Sequence, residues 1–233
     1  MLLYIIRHGD PTYDPDALTP LGIRQAQALA PRMEAAKIDE VYSSPLNRAR
    51  QTAQPTCERL GLACNIEEWT SEALAANDFG VVTDGRWRWC FAGCAEYLRS
   101  HPEYYGEKWH EAPCLGENNF KEGFLRVQRA SDEFLARQGY LRDGRIYHTQ
   151  RENKKHIAVF CHAGFGSLWL SHLLGFSPTF YWSTMDMTHT GITVFRFGEN
   201  EGEDTFPLML TFSDTSHLYE SGLPVKFDNI RPF

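Results

Sequence analysis

Met1-Leu-Leu-Tyr-Ile-Ile6 runs without a charge into Arg7-His8-Gly9, and far downstream His156-Ile-Ala-Val-Phe-Cys161 runs into His162-Ala-Gly164. Apolar runs of about four to eight residues, lacking alternation and bounded by Gly or Pro, have the pattern of parallel strands buried on both faces. In open α/β sheets the ligand site lies beyond the carboxyl ends of such strands. Both runs end in a histidine, so the two imidazoles are expected to meet at one sheet edge. Glu40–Ser43 reads as a shorter strand feeding Ser43-Ser-Pro-Leu-Asn-Arg48-Ala-Arg-Gln-Thr-Ala53, which brings Arg48 toward the same edge. Cys64–Glu68, Gly191–Phe197 and Pro207–Phe212 complete the strands.

Helix signals alternate with them. Thr19-Pro20 supplies a cap and a first-turn proline, and the helix is expected to run to about Ala36. Ser44 and Pro45 repeat the signal ahead of a helix stopped by Gly61, and Gly175 stops another ending at Leu174. The stretch from about Val82 to Tyr147 breaks this rhythm, with Trp87, Trp89, Phe91, Tyr97, Tyr104, Tyr105 and Trp109 and no strand patterning. Phe120, Phe124, Val127, Ser131 and Phe134 recur there at helical spacing. The reading is one α/β domain over residues 1–233 with a mainly helical cap inserted at about 82–147, lying over the strand ends.

The chain has 233 residues, 42% of them apolar, and a formal charge of −7. The apolar content excludes wholesale disorder. The negative charge argues against a nucleic-acid partner, which needs a cationic footprint. It leaves room for an anionic small molecule, because a pocket's local field can oppose the net charge. No apolar run reaches a membrane span of about 18 residues, and the N-terminal run is too short for a signal peptide. A cytoplasmic location is expected, with the six cysteines reduced. Cys57, Cys64 and Cys161 read as core thiols. Cys90, Cys94, His101, His110 and Cys114 fit no zinc spacing, and no metal site is expected. Oligomeric state is not legible.

Two imidazoles and two guanidinium groups at one edge suit a phosphoryl group. On the wheel of the helix that Gly61 stops, Arg48 falls roughly 150° from the apolar stripe, in the first turn where backbone amides attract anions. Arg50, beside that stripe, reads as a packed residue. His8 can attack phosphorus if its other ring nitrogen donates to a fixed acceptor, and a carbonyl in the turn at Gly9 could be that acceptor. Arg7, Arg48 and His162 would neutralise the equatorial oxygens in flight, and the guanidinium groups would keep His8 unprotonated.

These features resemble the histidine phosphatase superfamily, which includes the cofactor-dependent phosphoglycerate mutases. The matching segments are Arg7-His8-Gly9, Leu18-Thr-Pro-Leu-Gly22, Ser43–Ala53, His162-Ala-Gly164 and Asp214-Thr-Ser-His-Leu218. The resemblance implies a three-layer α/β/α sandwich with a mostly parallel central sheet, and phosphorylation of His8 during turnover. It implies a phosphate pocket of Arg7, Arg48 and His162, with Gly9 and Ala163 as further contacts, and no metal or other cofactor. The family's general acid is a glutamate shortly after the third strand. Counting from Gly80 puts Ala76 there, which cannot donate; counting from the strand end selects Glu72, with Asp78 second. Asp14 stands where many relatives carry a phosphate-contacting asparagine, and is read as orienting an arginine. His189 is set aside as structural unless it faces the pocket.

The expected activity is hydrolysis of a small phosphorylated metabolite through phospho-His8. The alternatives are phosphoglycerate mutase chemistry or a catalytically inactive phosphate-binding protein on the same fold. Only about ten residues separate Gly9 from Thr19, which favours hydrolysis over the mutase.

Overall fold

Leu3, Ile5 and Ile6 are completely buried, and so are Ile157, Val159 and Phe160. In the computed structural model, which describes residues 1–226, their strands lie side by side at the centre of a six-stranded sheet. Its order is Leu208–Asp214, Ile192–Arg196, Leu2–Arg7, His156–Cys161, Glu40–Ser43, Cys64–Ile66. The last four are mutually parallel; Ile192–Arg196 runs against both of its neighbours.

Side-chain alternation divides the sheet between two cores. Leu3, Ile5, Ile157 and Val159 meet Phe134, Phe165 and Trp169 on one face. Ile6, Val41, Ala158 and Phe160 meet Leu29, Met33, Ala53 and Cys57 on the other. Helices α1 (Pro20–Ala35) and α2 (Asn47–Leu60) cover the second face. Helices α3 (Glu72–Phe79), α5 (Phe120–Arg137) and α6 (Ala163–Leu174) cover the first, with α4 (Ala95–Ser100), α7 (Pro178–Thr184) and α8 (Ser216–Glu220) peripheral. The result is a three-layer α/β/α sandwich.

Strand register decides which residues reach the carboxyl edge together. Arg7 pairs with Cys161 and Phe160 with Ser43, so Arg7-His8, Cys161-His162 and Ser43-Ser44 emerge there side by side. Helix α1 starts as its sequence suggests, with Thr19 Oγ1 accepting from the Gly22 amide at 3.1 Å. Helix α2 does not. The Ser44 amide still donates to the Phe160 carbonyl at 2.9 Å, so the chain stays extended there and the helix begins at Asn47.

The stretch 82–147 also departs from its sequence reading. Gly80–Thr83 and Arg86–Trp89 form a hairpin, as do Tyr140–Asp143 and Ile146–Thr149. The first turn is Asp84-Gly85, both with positive φ, as a two-residue hairpin turn of mirror type requires; the second is Gly144-Arg145, with positive φ at Gly144. Helix α5 is not a lid. Phe134 meets Tyr42 of the central sheet edge-on at 5.2 Å, and Trp169 of α6 donates to Ser131 at 2.8 Å. Helical periodicity identifies an apolar face but not the surface it covers, so the pattern alone does not separate a cap helix from a sandwich layer. Between the two hairpins, the Cys94 thiol donates to the Cys114 carbonyl at 2.8 Å. Among the described residues no helix is long and apolar enough to cross a membrane.

Because α5 is a sandwich layer, Phe134→Ala should destabilise the protein by about 3–5 kcal/mol, the cost of truncating a fully buried phenylalanine. Urea unfolding measures this; a loss below about 1 kcal/mol would return α5 to the role of a detachable cover.

Candidate active site

His8, Arg7, Arg48, Glu72, Ala163 and Gly164 line a single cavity of about 760 Å³ at the carboxyl edge of the sheet. His8 leaves the end of its strand with its amide held by the Cys161 carbonyl at 2.9 Å. Its Nδ1 lies 2.7 Å from the carbonyl oxygen of Gly9. A carbonyl only accepts, so Nδ1 carries the proton and Nε2 the lone pair. The His162 ring stands 5.1 Å from the His8 ring, centroid to centroid, with its Nε2 2.7 Å from Ser44 Oγ. The hydroxyl that resembles a helix cap in the sequence therefore holds the second histidine. His162 is fully buried behind the cavity, whose lining does not include it, and its Nδ1 has no partner among the described residues.

Both guanidinium groups are nearly removed from water, Arg7 at 3% exposure and Arg48 at 6%. Arg48 Nη1 donates to Asp16 Oδ1 at 2.6 Å, and the other Asp16 oxygen accepts from the Asn47 amide at 2.7 Å. The arginine-orienting carboxylate is thus Asp16, on the inner strand of the Pro11–Tyr13/Asp16–Leu18 hairpin. Asp14 sits exposed at the turn. Arg7 donates to the Met187 carbonyl and, at 2.8 Å, to His189 Nε2. Arginine cannot accept, so His189 is the neutral tautomer with its proton on Nδ1. His189, 5.6 Å from His8 by ring centroids, positions Arg7; only its place before a strand hints at this in the sequence.

Gly9 does not serve as a phosphate donor. Its amide is committed to Thr52 Oγ1 at 3.0 Å, and its carbonyl orients His8. Ala163 does lie at the cavity wall, as the first residue of α6, where helix amides favour anions.

Glu72 opens α3 and reaches the N-terminus of α6. Its two oxygens accept from the Gly164 and Phe165 amides, each at 3.0 Å. Burial pushes its carboxyl above the usual value, against the opposing pull of those amides and of Arg48 and Arg7. Asp78, by contrast, is bound to Arg126 at 2.7 Å and does not line this cavity. Alongside the polar groups stand Tyr13, Trp87, Trp89 and Phe91, and Arg48 lies over the Tyr13 ring at 5.3 Å.

A strand-end pair of imidazoles and two buried guanidinium groups, with a carboxyl raised by burial, form an arrangement on this α/β sheet that suits a phosphoryl group. The profile of the histidine phosphatase superfamily (branch 1) matches residues 3–204. The chain belongs to that superfamily. Two sequence relatives are provisionally named. One, phosphoglycerate mutase GpmB of Proteus mirabilis, is 34% identical over 89 residues, covering 34% of this chain but only 40% of that protein's length. The other, phosphoserine phosphatase 2 of Hydrogenobacter thermophilus, is 27% identical over 201 residues, covering 82% of this chain and 87% of its own. Among solved structures, the phosphoserine phosphatase of Entamoeba histolytica in complex with 3-phosphoglyceric acid is similar with a TM-score of 0.59 and 23% identity. It aligns over 93% of this chain and 98% of its own. The mycobacterial glucosyl-3-phosphoglycerate phosphatase gives 0.60 and 20%, over 91% and 98%. At these identities the structural likeness establishes the fold.

Burial, reinforced by His162 and Arg7, holds His8 well below the ordinary imidazole value of 6.5, and burial with Arg48 and Arg7 does the same for His162. His172 is lowered, His217 falls to about 4 and His189 to about 3, in each case chiefly by burial. The folded chain therefore binds fewer protons than the unfolded one below pH 6.5. Stability is complete above that value and falls as pH drops through it, by up to about 1.4 kcal/mol per pH unit for each histidine. Glu72, raised by burial, and the exposed His148, raised by its hydrogen bond to Asp204, oppose this as two groups. In phosphate-free buffer the unfolding free energy at pH 5 should lie at least about 3 kcal/mol below that at pH 7.5. Equal values would show that these histidines titrate normally in the fold.

Proposed function

We propose that this chain hydrolyses phosphomonoesters of small metabolites through a phosphohistidine on His8. The observation that carries the reading is the 2.7 Å contact between His8 Nδ1 and the Gly9 carbonyl, which leaves a lone pair on Nε2 in a cavity floored by Arg7 and Arg48. In the first step the Nε2–P bond forms and the ester P–O bond breaks. Glu72, protonated at the outset, gives its proton to the departing alkoxide. In the second step water attacks phosphorus, Glu72 takes up the water's proton, and the bonding pair returns to Nε2. Arg7, Arg48 and His162 supply donors to the equatorial oxygens, whose charge demands them in either step.

Glu72 serves two ends in this scheme. Ionised, it caps α6 through two amides; protonated, it can keep only one of those acceptor positions fully. Binding of a phosphoryl dianion offsets the field of Arg7 and Arg48, which removes part of what holds the carboxyl ionised. Substrate thus prepares its own acid.

A mutase reading draws on the partial match to the Proteus mirabilis protein. The short chain between His8 and α1 weighs against it. Those residues are occupied by the hairpin that brings Asp16 to Arg48, leaving no separate segment to retain a second phosphorylated ligand. Measuring 3-phosphoglycerate isomerisation with and without its bisphosphate separates the two readings. A non-catalytic phosphate binder would bind inorganic phosphate but leave His8 unlabelled by any ester.

His8→Ala should abolish ester turnover while leaving the melting temperature near wild type. Glu72→Gln should lower kcat/KM on alkyl phosphates about a hundredfold or more, yet spare p-nitrophenyl phosphate, whose leaving group needs no proton. Equal losses on both ester classes would reduce Glu72 to a structural cap of α6.

A further inference from the structure

We infer that the alcohol released from the ester is uncharged and aromatic, held against the tryptophan face of the Gly80–Trp89 hairpin. This rests on the phosphomonoesterase reading and adds the substrate class to it.

The hairpin itself sorts its side chains. Along Arg86–Trp89 the strand period of two puts Trp87 and Trp89 on one face and Arg86 and Arg88 on the other. Both tryptophans line the cavity; neither arginine does. Their rings stand 5.4 Å apart at 69°, and Trp89 stacks on Phe91 at 5.4 Å and 12°. Trp87 remains 55% exposed. Its indole is thus an apolar surface kept open beside the phosphoryl cradle rather than consumed by the core.

Position links this face to the chemistry. A Cβ built on Gly164 would lie 2.7 Å from Glu72 Oε1 and 3.0 Å from Trp89 Cη2. The carboxyl that protonates the leaving oxygen and the edge of the indole are therefore neighbours across that glycine. The substituent on that oxygen emerges onto Trp89 and, beyond it, Trp87.

Charge excludes the main competitors. Among the described residues the arginines of the cavity are Arg7 and Arg48, both at the phosphoryl cradle, and its remaining ionisable side chains include the carboxyl groups of Asp16, Glu72 and Asp186 but no further Lys or Arg. A carboxylate or second phosphate on the alcohol would lose water against indole rings without gaining a cation. An aromatic alcohol gains offset or edge-on ring contacts instead.

The test compares three esters with similarly basic alkoxide leaving groups on the full-length protein: benzyl phosphate, glycerol 3-phosphate and 3-phosphoglycerate. Benzyl phosphate should exceed glycerol 3-phosphate in kcat/KM about tenfold, equivalent to about 1.4 kcal/mol and within the range of one aromatic contact. 3-Phosphoglycerate should be the poorest. Trp87→Ala should collapse the benzyl-to-glycerol ratio, chiefly through KM, and Trp87→Phe should restore most of it. An unchanged ratio in Trp87→Ala, or 3-phosphoglycerate turnover matching benzyl phosphate, would overturn the inference. The wild-type ranking decides the matter even where a variant fails to fold. Hydrolysis with labelled His8 but no aromatic preference would remove this inference alone; no hydrolysis of any ester and no label would remove the phosphatase reading with it.

Discussion

Arg7 and Arg48 are buried beside two imidazoles, and that shared loss of water sets the terms for everything around them. Burying a guanidinium costs several kcal/mol unless partners replace water. Asp16 answers Arg48 directly. Arg7 is held by a carbonyl and by a histidine that its own charge helps keep neutral. Under that field His8 and His162 cannot compete for protons. A neutral His8, oriented by a carbonyl one residue away, is a nucleophile; a protonated one would be another cation.

The fold serves to hold this arrangement. Parallel register aligns three strand ends, so that residues more than 100 positions apart in sequence, such as Ser44 and His162, share a hydrogen bond. Close packing secures the turn after His8. A Cβ on Gly22 would fall 2.1 Å from the Asp10 carbonyl oxygen, so the first turn of α1 presses on the loop carrying Gly9 and allows it little freedom. The same compactness brings the N-terminus of α6 to Glu72. One carboxyl thereby joins a helix end, the cavity and its aromatic wall.

Much of this is legible in the sequence because it depends on local chain geometry. An unbroken apolar run ending in Arg7-His8-Gly9 specifies a buried strand and the position of its last side chains, and the acceptor for His8 is simply the next carbonyl. Arg48 follows from a helical wheel and a first-turn position. What stays hidden depends on partners distant in sequence. Ser44 looks like a cap until the sheet register shows its chain still extended. Asp14 and Asp16 are indistinguishable until the hairpin turns one outward and the other toward Arg48. Gly9 has the amide of a phosphate loop, but Thr52 claims it from α2. The turns at Asp84-Gly85 and Gly144-Arg145 carry readable local glycine signals, masked by the expectation of a helical insertion. Helix α5 shows the complementary failure: its apolar face is evident, but nothing local says that the face belongs on Tyr42 and Trp169.

The central claim is that the Gly9 carbonyl fixes the tautomer of His8 and so selects the attacking nitrogen. Rapid quenching of the protein during ester turnover, followed by NMR of the isolated His8 phosphopeptide, identifies which ring nitrogen bears phosphorus. The account requires phosphate on Nε2. Phosphate on Nδ1, the nitrogen that faces the Gly9 carbonyl, would contradict it.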